Sequence, residues 1–142
     1  MDPDRDGCGL LWCSPVAPAN GRDARAVAEL AMEIVLEHGF EPAISITMIT
    51  ERALACIISL GYDRDVPGED ERAMQCRHEL LRRLGEAGYY SYRLNIGGMS
   101  SMDDGTEYQQ LLHDLRSTLD PQGILAPGRY LTVRAKSHST AV

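Results

Sequence analysis

Two adjacent side chains, Tyr92 and Arg93, could together hold an oxyanion. A phenolic hydroxyl supplies one neutral donor and a guanidinium several charged ones, the set that a buried phenolate oxygen requires. The pair closes the run Gly88-Tyr89-Tyr90-Ser91-Tyr92-Arg93, and Gly97-Gly98 follows shortly after. On a strand, alternation sends Tyr90 and Tyr92 to one face and Arg93 to the other. Both still reach one ligand if the strand ends at a pocket, as the two glycines suggest. The same residues also describe an aromatic strand with one surface arginine, and spacing alone does not separate the two readings.

Other catalytic signatures are missing. The chain has no Walker loop, no G-x-G-x-x-G, no G-x-S-x-G and no H-E-x-x-H. Gly7-Cys8-Gly9 lacks the third glycine and precedes a strand, so it is not a dinucleotide turn. His38, His78, His113 and His138 are scattered, without the partner that a general base needs. Cys8, Cys13, Cys56 and Cys76 form no C-x-x-C pair and have no histidine at zinc-ligand spacing, which makes them packing thiols rather than a metal or disulfide framework.

The 142 residues amount to one domain and are 44% hydrophobic and 25% charged, an ordinary globular composition. The net charge of -7 argues against nucleic acid or an anionic membrane surface as partner. No apolar run approaches the ~18 residues of a membrane span. The acidic start, Met1-Asp2-Pro3-Asp4-Arg5-Asp6, does not resemble a signal peptide.

These residues must be positioned by a small set of elements. Gly9–Ser14 reads as a strand halted by Pro15 and Pro18. Val27, Leu30, Ala31, Ile34 and Val35 then recur at helical spacing, with Arg22, Arg25, Glu29, Glu33 and Glu37 opposite and Gly39 as the stop. Residues 43–49 and 53–60 read as an antiparallel pair of strands. A second helix carries Ala73, Cys76, Leu80, Leu84 and Ala87 on its inner stripe, with Arg72, Gln75, Glu79, Arg82, Arg83 and Glu86 outward. Residues 89–96 form an expected strand, and 106–119 a last helix with Tyr108, Leu111, Leu112 and Leu115 inward. The order β-α-β-β-α-β predicts an α+β, ferredoxin-like layer with an antiparallel sheet, followed by a helix and a Pro/Gly tail. The predicted organisation is a domain over 1–130 and a polar tail over 131–142.

That tail, Leu119-Asp120-Pro121-Gln122-Gly123-Ile124-Leu125-Ala126-Pro127-Gly128-Arg129-Tyr130, is stiff and turned by its prolines and glycines. Its wording resembles the closing motif of FAD-linked oxidoreductases of the vanillyl-alcohol oxidase and p-cresol methylhydroxylase family. Gly88-Tyr89-Tyr90-Ser91-Tyr92-Arg93 is similar to that family's phenol-binding segment. The resemblance spans about Asp6 to Tyr130 and implies the C-terminal, substrate-cap part of such an enzyme. It assigns Tyr92 and Arg93 to the phenolate oxygen, and Ser45, Pro127 and Gly128 to the neighbourhood of FAD. The cofactor would be bound mainly by sequence absent from this chain. The implied partners are a phenolic substrate, the missing FAD-binding domain or chain, a second copy in a homodimer, and a cytochrome acting as electron acceptor.

The chain departs from the family at Gly9-Leu10-Leu11-Trp12, where some relatives carry a histidine that attaches FAD and this chain has none. The tail motif is shared with FAD-linked 2-hydroxyacid dehydrogenases of the lactate or glycolate type, the alternative enzyme class. Those relatives cluster histidines at the substrate, which this chain does not. A free-standing ferredoxin-like binding module without catalysis is the third reading.

Overall fold

The computed structural model describes residues 5–95, 98–99, 106–127, 129 and 131. They fall into two compact units, Met1–Arg93 and Leu94–Val142. Gly97, Gly128, Tyr130 and the polar stretch beyond Leu131 lie outside the described residues.

The first unit is built on one long strand. In chain order its elements are β1 (Cys8–Cys13), β2 (Val16–Pro18), α1 (Gly21–Glu37), β3 (Ala43–Thr50), β4 (Ala53–Asp63) and α2 (Glu69–Glu86). β4 is central. β1 and β2 follow one another antiparallel along one edge of it, in continuous register from Cys8↔Asp63 to Pro18↔Ala53. β3 runs antiparallel along the other edge, from Ala43↔Ser59 to Thr50↔Ala53. The first strand does not end at Pro15 as expected: it breaks there, because proline has no N–H for the ladder, and resumes as β2, while the Pro15 carbonyl accepts from the Cys56 N–H at 2.9 Å.

Alternation divides β4 between two faces. Leu54, Cys56, Ile58 and Leu60 are buried against the helices, joined by Val27, Ala31, Ile34 and Val35 of α1 and by Ala73, Cys76, Leu80 and Leu84 of α2. These are the inner stripes that the periodicity predicts, except that Leu30 is half-buried and Ala87 exposed. Asn20 caps α1 by accepting from the Arg22 and Asp23 N–H groups at 3.1 and 3.0 Å, which satisfies donors that the first turn leaves free. Arg83 reaches across to Glu33 and Glu37 and ties the two helices at their outer surface.

The opposite sheet face carries a different set. Residues paired directly across strands share a face, which groups Leu10, Trp12, Ser45, Thr47, Ile57 and Ser59 away from the helices. Trp12 is 61% exposed there and Leu10 54%.

Two expectations from the sequence do not hold. The strand expected over 89–96 is reduced to one antiparallel bridge, Pro15↔Ser91, held by Val16 N–H to Tyr90 C=O at 3.0 Å and Tyr92 N–H to Ser14 C=O at 3.2 Å. The spatial order is therefore the bridge segment, β1/β2, β4, β3: a ferredoxin-like α+β order with its last strand cut short. In the second unit, α3 (Glu107–Leu119) starts on Thr106 as expected. Its apolar stripe is not inward, however, because Tyr108, Leu111 and Leu115 are exposed and Leu112 is half-buried.

Among the described glycines, Gly9 leaves the least room for a side chain. The ring of Tyr62, its partner across the ladder, lies where any side chain at position 9 would be. We predict that Gly9→Ala displaces Tyr62 and lowers stability by about 1–3 kcal/mol, the usual cost of overpacking, measured by urea unfolding.

Candidate functional site

The approach to Tyr92 is fixed residue by residue. α2 closes through Ala87 N–H to Arg83 C=O and Gly88 N–H to Gly85 C=O, and Gly88 takes φ 88°, a left-handed conformation that glycine adopts without penalty. Tyr89 then bonds twice. Its N–H donates to the Leu84 carbonyl at 2.8 Å, and its hydroxyl donates to Asp23 Oδ1 at 2.8 Å on the first turn of α1. That second bond, with help from Asn20, holds the Asp23 carboxyl below its ordinary range, and the same carboxylate pushes the Tyr89 phenol up. Tyr89 is thus occupied in holding the segment.

Beyond it, the Ser91 hydroxyl lies 3.7 Å from Cys13 Sγ on the helix side of the sheet. Alternation places Tyr92 on the opposite face, the one shared by Trp12, Ser45, Ile57 and Ser59. Tyr92 is 56% exposed, Arg93 is exposed, and neither side chain makes a hydrogen bond or ion pair among the described residues. Both are therefore available to a ligand.

The sheet register relates Ser45 to this pair. Tyr92 is bonded to Ser14, Ser14 stands level with Ile57, and Ile57 pairs with Ser45. The four form one crosswise row, three strand spacings long, so Tyr92 and Ser45 stand ~14 Å apart at opposite ends of it. Ser45 sits exposed on the edge strand β3. Pro127 is exposed in the second unit, and Gly128 lies outside the described residues.

In the second unit the tail motif has a local structural purpose. Asp120 is buried as the C-cap of α3, and its carboxylate accepts from the Ile124 and Leu125 N–H groups at 3.0 and 2.9 Å. Those bonds, that from Leu125 foremost, hold its carboxyl low. Arg116 donates to the carbonyls of Leu125 and Ala126 at 2.6 and 3.3 Å, and Ala126 takes φ 42°. The turn that the prolines and glycines announce is thus knotted by two charged residues, Asp120 of the motif itself and Arg116, which lies before it. Their signal is the D-P-x-G spacing after a helix with a basic last turn.

Elsewhere, a shallow depression of about 490 Å³ is lined by Glu37, His38, Gln75, His78, Glu79 and Arg82. It lies on the outer helix surface, away from the sheet. His38 Nδ1 is 2.8 Å from the Ile34 carbonyl, and Glu79 is paired with Arg82. No cluster of described residues could hold a metal ion, and among them no helix is long and apolar enough to cross a membrane.

No protein-family model matches the chain. Individual proteins do. It is 42% identical over 130 residues to 1'-carboxy-chondrochloren decarboxylase of Chondromyces crocatus, a match covering 91% of this chain and 24% of that protein. It is 32% identical over 127 residues to the flavoprotein subunit of 4-cresol dehydrogenase [hydroxylating] from Pseudomonas putida, covering 88% and 24%. Among solved structures, substrate-bound p-cresol methylhydroxylase superposes with a TM-score of 0.79 at 30% identity, covering 86% of this chain and 24% of that one. 4-Ethylphenol oxidase from Gulosibacter chungangensis, in complex with isoeugenol, gives 0.79 at 25%, covering 88% and 25%. The chain spans about a quarter of the length of these relatives.

The Tyr89–Asp23 bond yields a prediction with a defined sign. A carboxyl whose folded pKa is depressed adds stability that is present above its unfolded value of about 3.9 and is lost as pH falls through the folded value. We predict that Tyr89→Phe lowers the urea midpoint at neutral pH and flattens its acid-side decline, so that the two proteins converge once the pH has fallen below the lowered Asp23 value.

Proposed function

We propose that this chain, which belongs to the p-cresol methylhydroxylase family of FAD-linked flavoproteins as its C-terminal part, supplies the phenolate-binding Tyr92–Arg93 pair of an enzyme that oxidises 4-alkylphenols. The observation that carries the reading is the presentation of these two residues. The backbone is clamped immediately upstream by Tyr89 and Ser91, while the Tyr92 and Arg93 side chains are exposed and unengaged among the described residues.

The proposed chemistry follows from the two donors. The Tyr92 hydroxyl donates to the substrate's phenolic oxygen, and the Arg93 guanidinium places a permanent positive charge beside it. Both favour the ionised form, lower the phenol pKa and push electron density to the para position. The open face suits a flat aromatic cofactor, since Trp12, Leu10 and Ile57 offer apolar surface and Ser45 and Ser59 offer hydroxyls between them. Bound FAD would supply the hydride acceptor for such a reaction, and the ionised phenol held by Tyr92 and Arg93 would be the form from which the para-alkyl carbon gives up hydride most readily. Ser45 would border the ring; the family resemblance alone proposes Pro127 and Gly128 of the tail motif as further cofactor contacts, and the part of the relatives that this chain does not span would contribute most of the binding. The Pseudomonas putida relative is one subunit of its enzyme, and a cytochrome partner is the electron acceptor that suits a dehydrogenase of this kind.

A second reading has its own support. The decarboxylase from Chondromyces crocatus shares 42% identity with this chain, so the loss of a carboxyl group rather than the hydroxylation or desaturation of an alkyl one is the competing reaction. Arg93 suits a carboxylate as well as a phenolate.

The test uses the complete flavoprotein that carries this chain, assayed with 4-cresol and 4-ethylphenol and monitored for CO₂ release from para-carboxylated analogues. Tyr92→Phe should lower kcat/KM about 10- to 100-fold, the worth of one hydrogen bond to a charged acceptor, and Arg93→Met should lower it further. Full activity in both variants would remove these residues from the site. Turnover confined to carboxylated substrates would select the second reading. A folded protein that never retains flavin would leave only the binding-module reading.

A further inference from the structure

We infer that Arg77 is the positioning residue for the Tyr92–Arg93 pair, because it occupies the carbonyl at which the bridge segment would otherwise continue as a strand. The inference rests on the reading of Tyr92 and Arg93 as ligand-binding groups.

Main-chain polar groups alternate between the two edges of a strand. Pro15 points its carbonyl inward to Cys56, so Ser14 and Val16 point outward, and both are bonded to the bridge segment through Tyr92 and Tyr90. The next outward acceptor in the same alternation is the carbonyl of Trp12. It is taken by a side chain: Arg77 Nε donates to it at 3.3 Å from α2. The ladder stops one step short of that carbonyl. This is the physical reason why residues expected to form a strand make only one bridge, and why Tyr92 and Arg93 stand at a chain exit rather than inside a sheet.

Arg77 is a poor choice for stability alone. It is 3% exposed, and its Nη1 is buried without an acceptor among the described residues. A guanidinium cannot shed its proton to escape burial, and a buried unpaired charge is costly. A neutral side chain would hold the core at least as well. What an aliphatic side chain could not do is fill the Trp12 carbonyl.

The test compares amide hydrogen exchange in the full chain and in two variants matched for length and charge. Arg77→Met places a methyl group at the position of Nε, whereas Arg77→Gln places an amide nitrogen there. In Arg77→Met, protection should spread past Tyr92 to the amide two residues on, slowing its exchange about tenfold or more. Arg77→Gln should keep the parent pattern. The account is overturned if Met and Gln give the same pattern. It is also overturned if protection at Val16 and Tyr92 collapses in Arg77→Met, or if that variant fails to fold, because Arg77 would then be holding the bridge and not ending it. The exchange measurement needs neither FAD nor a phenol, so it stands or falls separately from the proposed function. In the active flavoprotein, the same Met variant should raise KM for 4-cresol and the Gln variant should leave it unchanged.

Discussion

The unit that carries Tyr92 depends on the satisfaction of one strand edge. β1 and β2 bond to β4 on one side, and their outward N–H and C=O groups must find partners on the other, because an unmatched buried backbone group costs as much as a lost hydrogen bond. Tyr90, Tyr92 and Arg77 supply those partners at Val16, Ser14 and Trp12. The division of labour between main chain and side chain at this edge sets where the polypeptide leaves the sheet. It leaves at the two residues whose side chains suit an anionic oxygen.

Everything else in that unit supports the edge. The helices pack against one sheet face through a core that includes Ile34, Ile58, Leu60, Leu80 and Leu84, which fixes α2 over β1 and so places Arg77 within reach of Trp12. Tyr89 pins the end of α2 to the start of α1 through Asp23, so the bridge segment begins from a defined point. The other sheet face is left with Trp12, Leu10 and Ile57 among hydroxyl side chains, a surface that an ordinary domain would cover.

Much of this was legible in the sequence. The stripe of Val27, Ala31, Ile34 and Val35 and the stripe of Ala73, Cys76, Leu80 and Leu84 are buried as their spacing requires, and the β3–β4 hairpin follows its alternation. Residues 89–96 have the composition of a strand, while the donor that competes for the Trp12 carbonyl comes from Arg77, about fifteen positions away on α2. Arg77 itself was hidden by its charge: it falls at the i+4 place of Ala73 and one residue after Cys76, squarely on the buried stripe. The exposed Tyr108, Leu111 and Leu115 show the other limit, since an apolar stripe specifies that a face is to be covered and not by what. The sites at Tyr92, Arg93 and Ser45 come from resemblance. The structure adds that Tyr92 and Ser45 stand at opposite ends of one row on one face, a relation that no local spacing contains.

The proposed role of Tyr92 and Arg93 is to hold a phenol in its ionised form. The direct measurement is the ultraviolet difference spectrum, near neutral pH, of a phenol whose para substituent has no abstractable hydrogen, bound to the complete flavoprotein. A phenolate band is expected in the parent protein, reverting to the neutral phenol spectrum in Tyr92→Phe and Arg93→Met, with flavin absorbance unchanged. A phenol that binds in its neutral form, or a phenolate band that persists in both variants, would contradict that role.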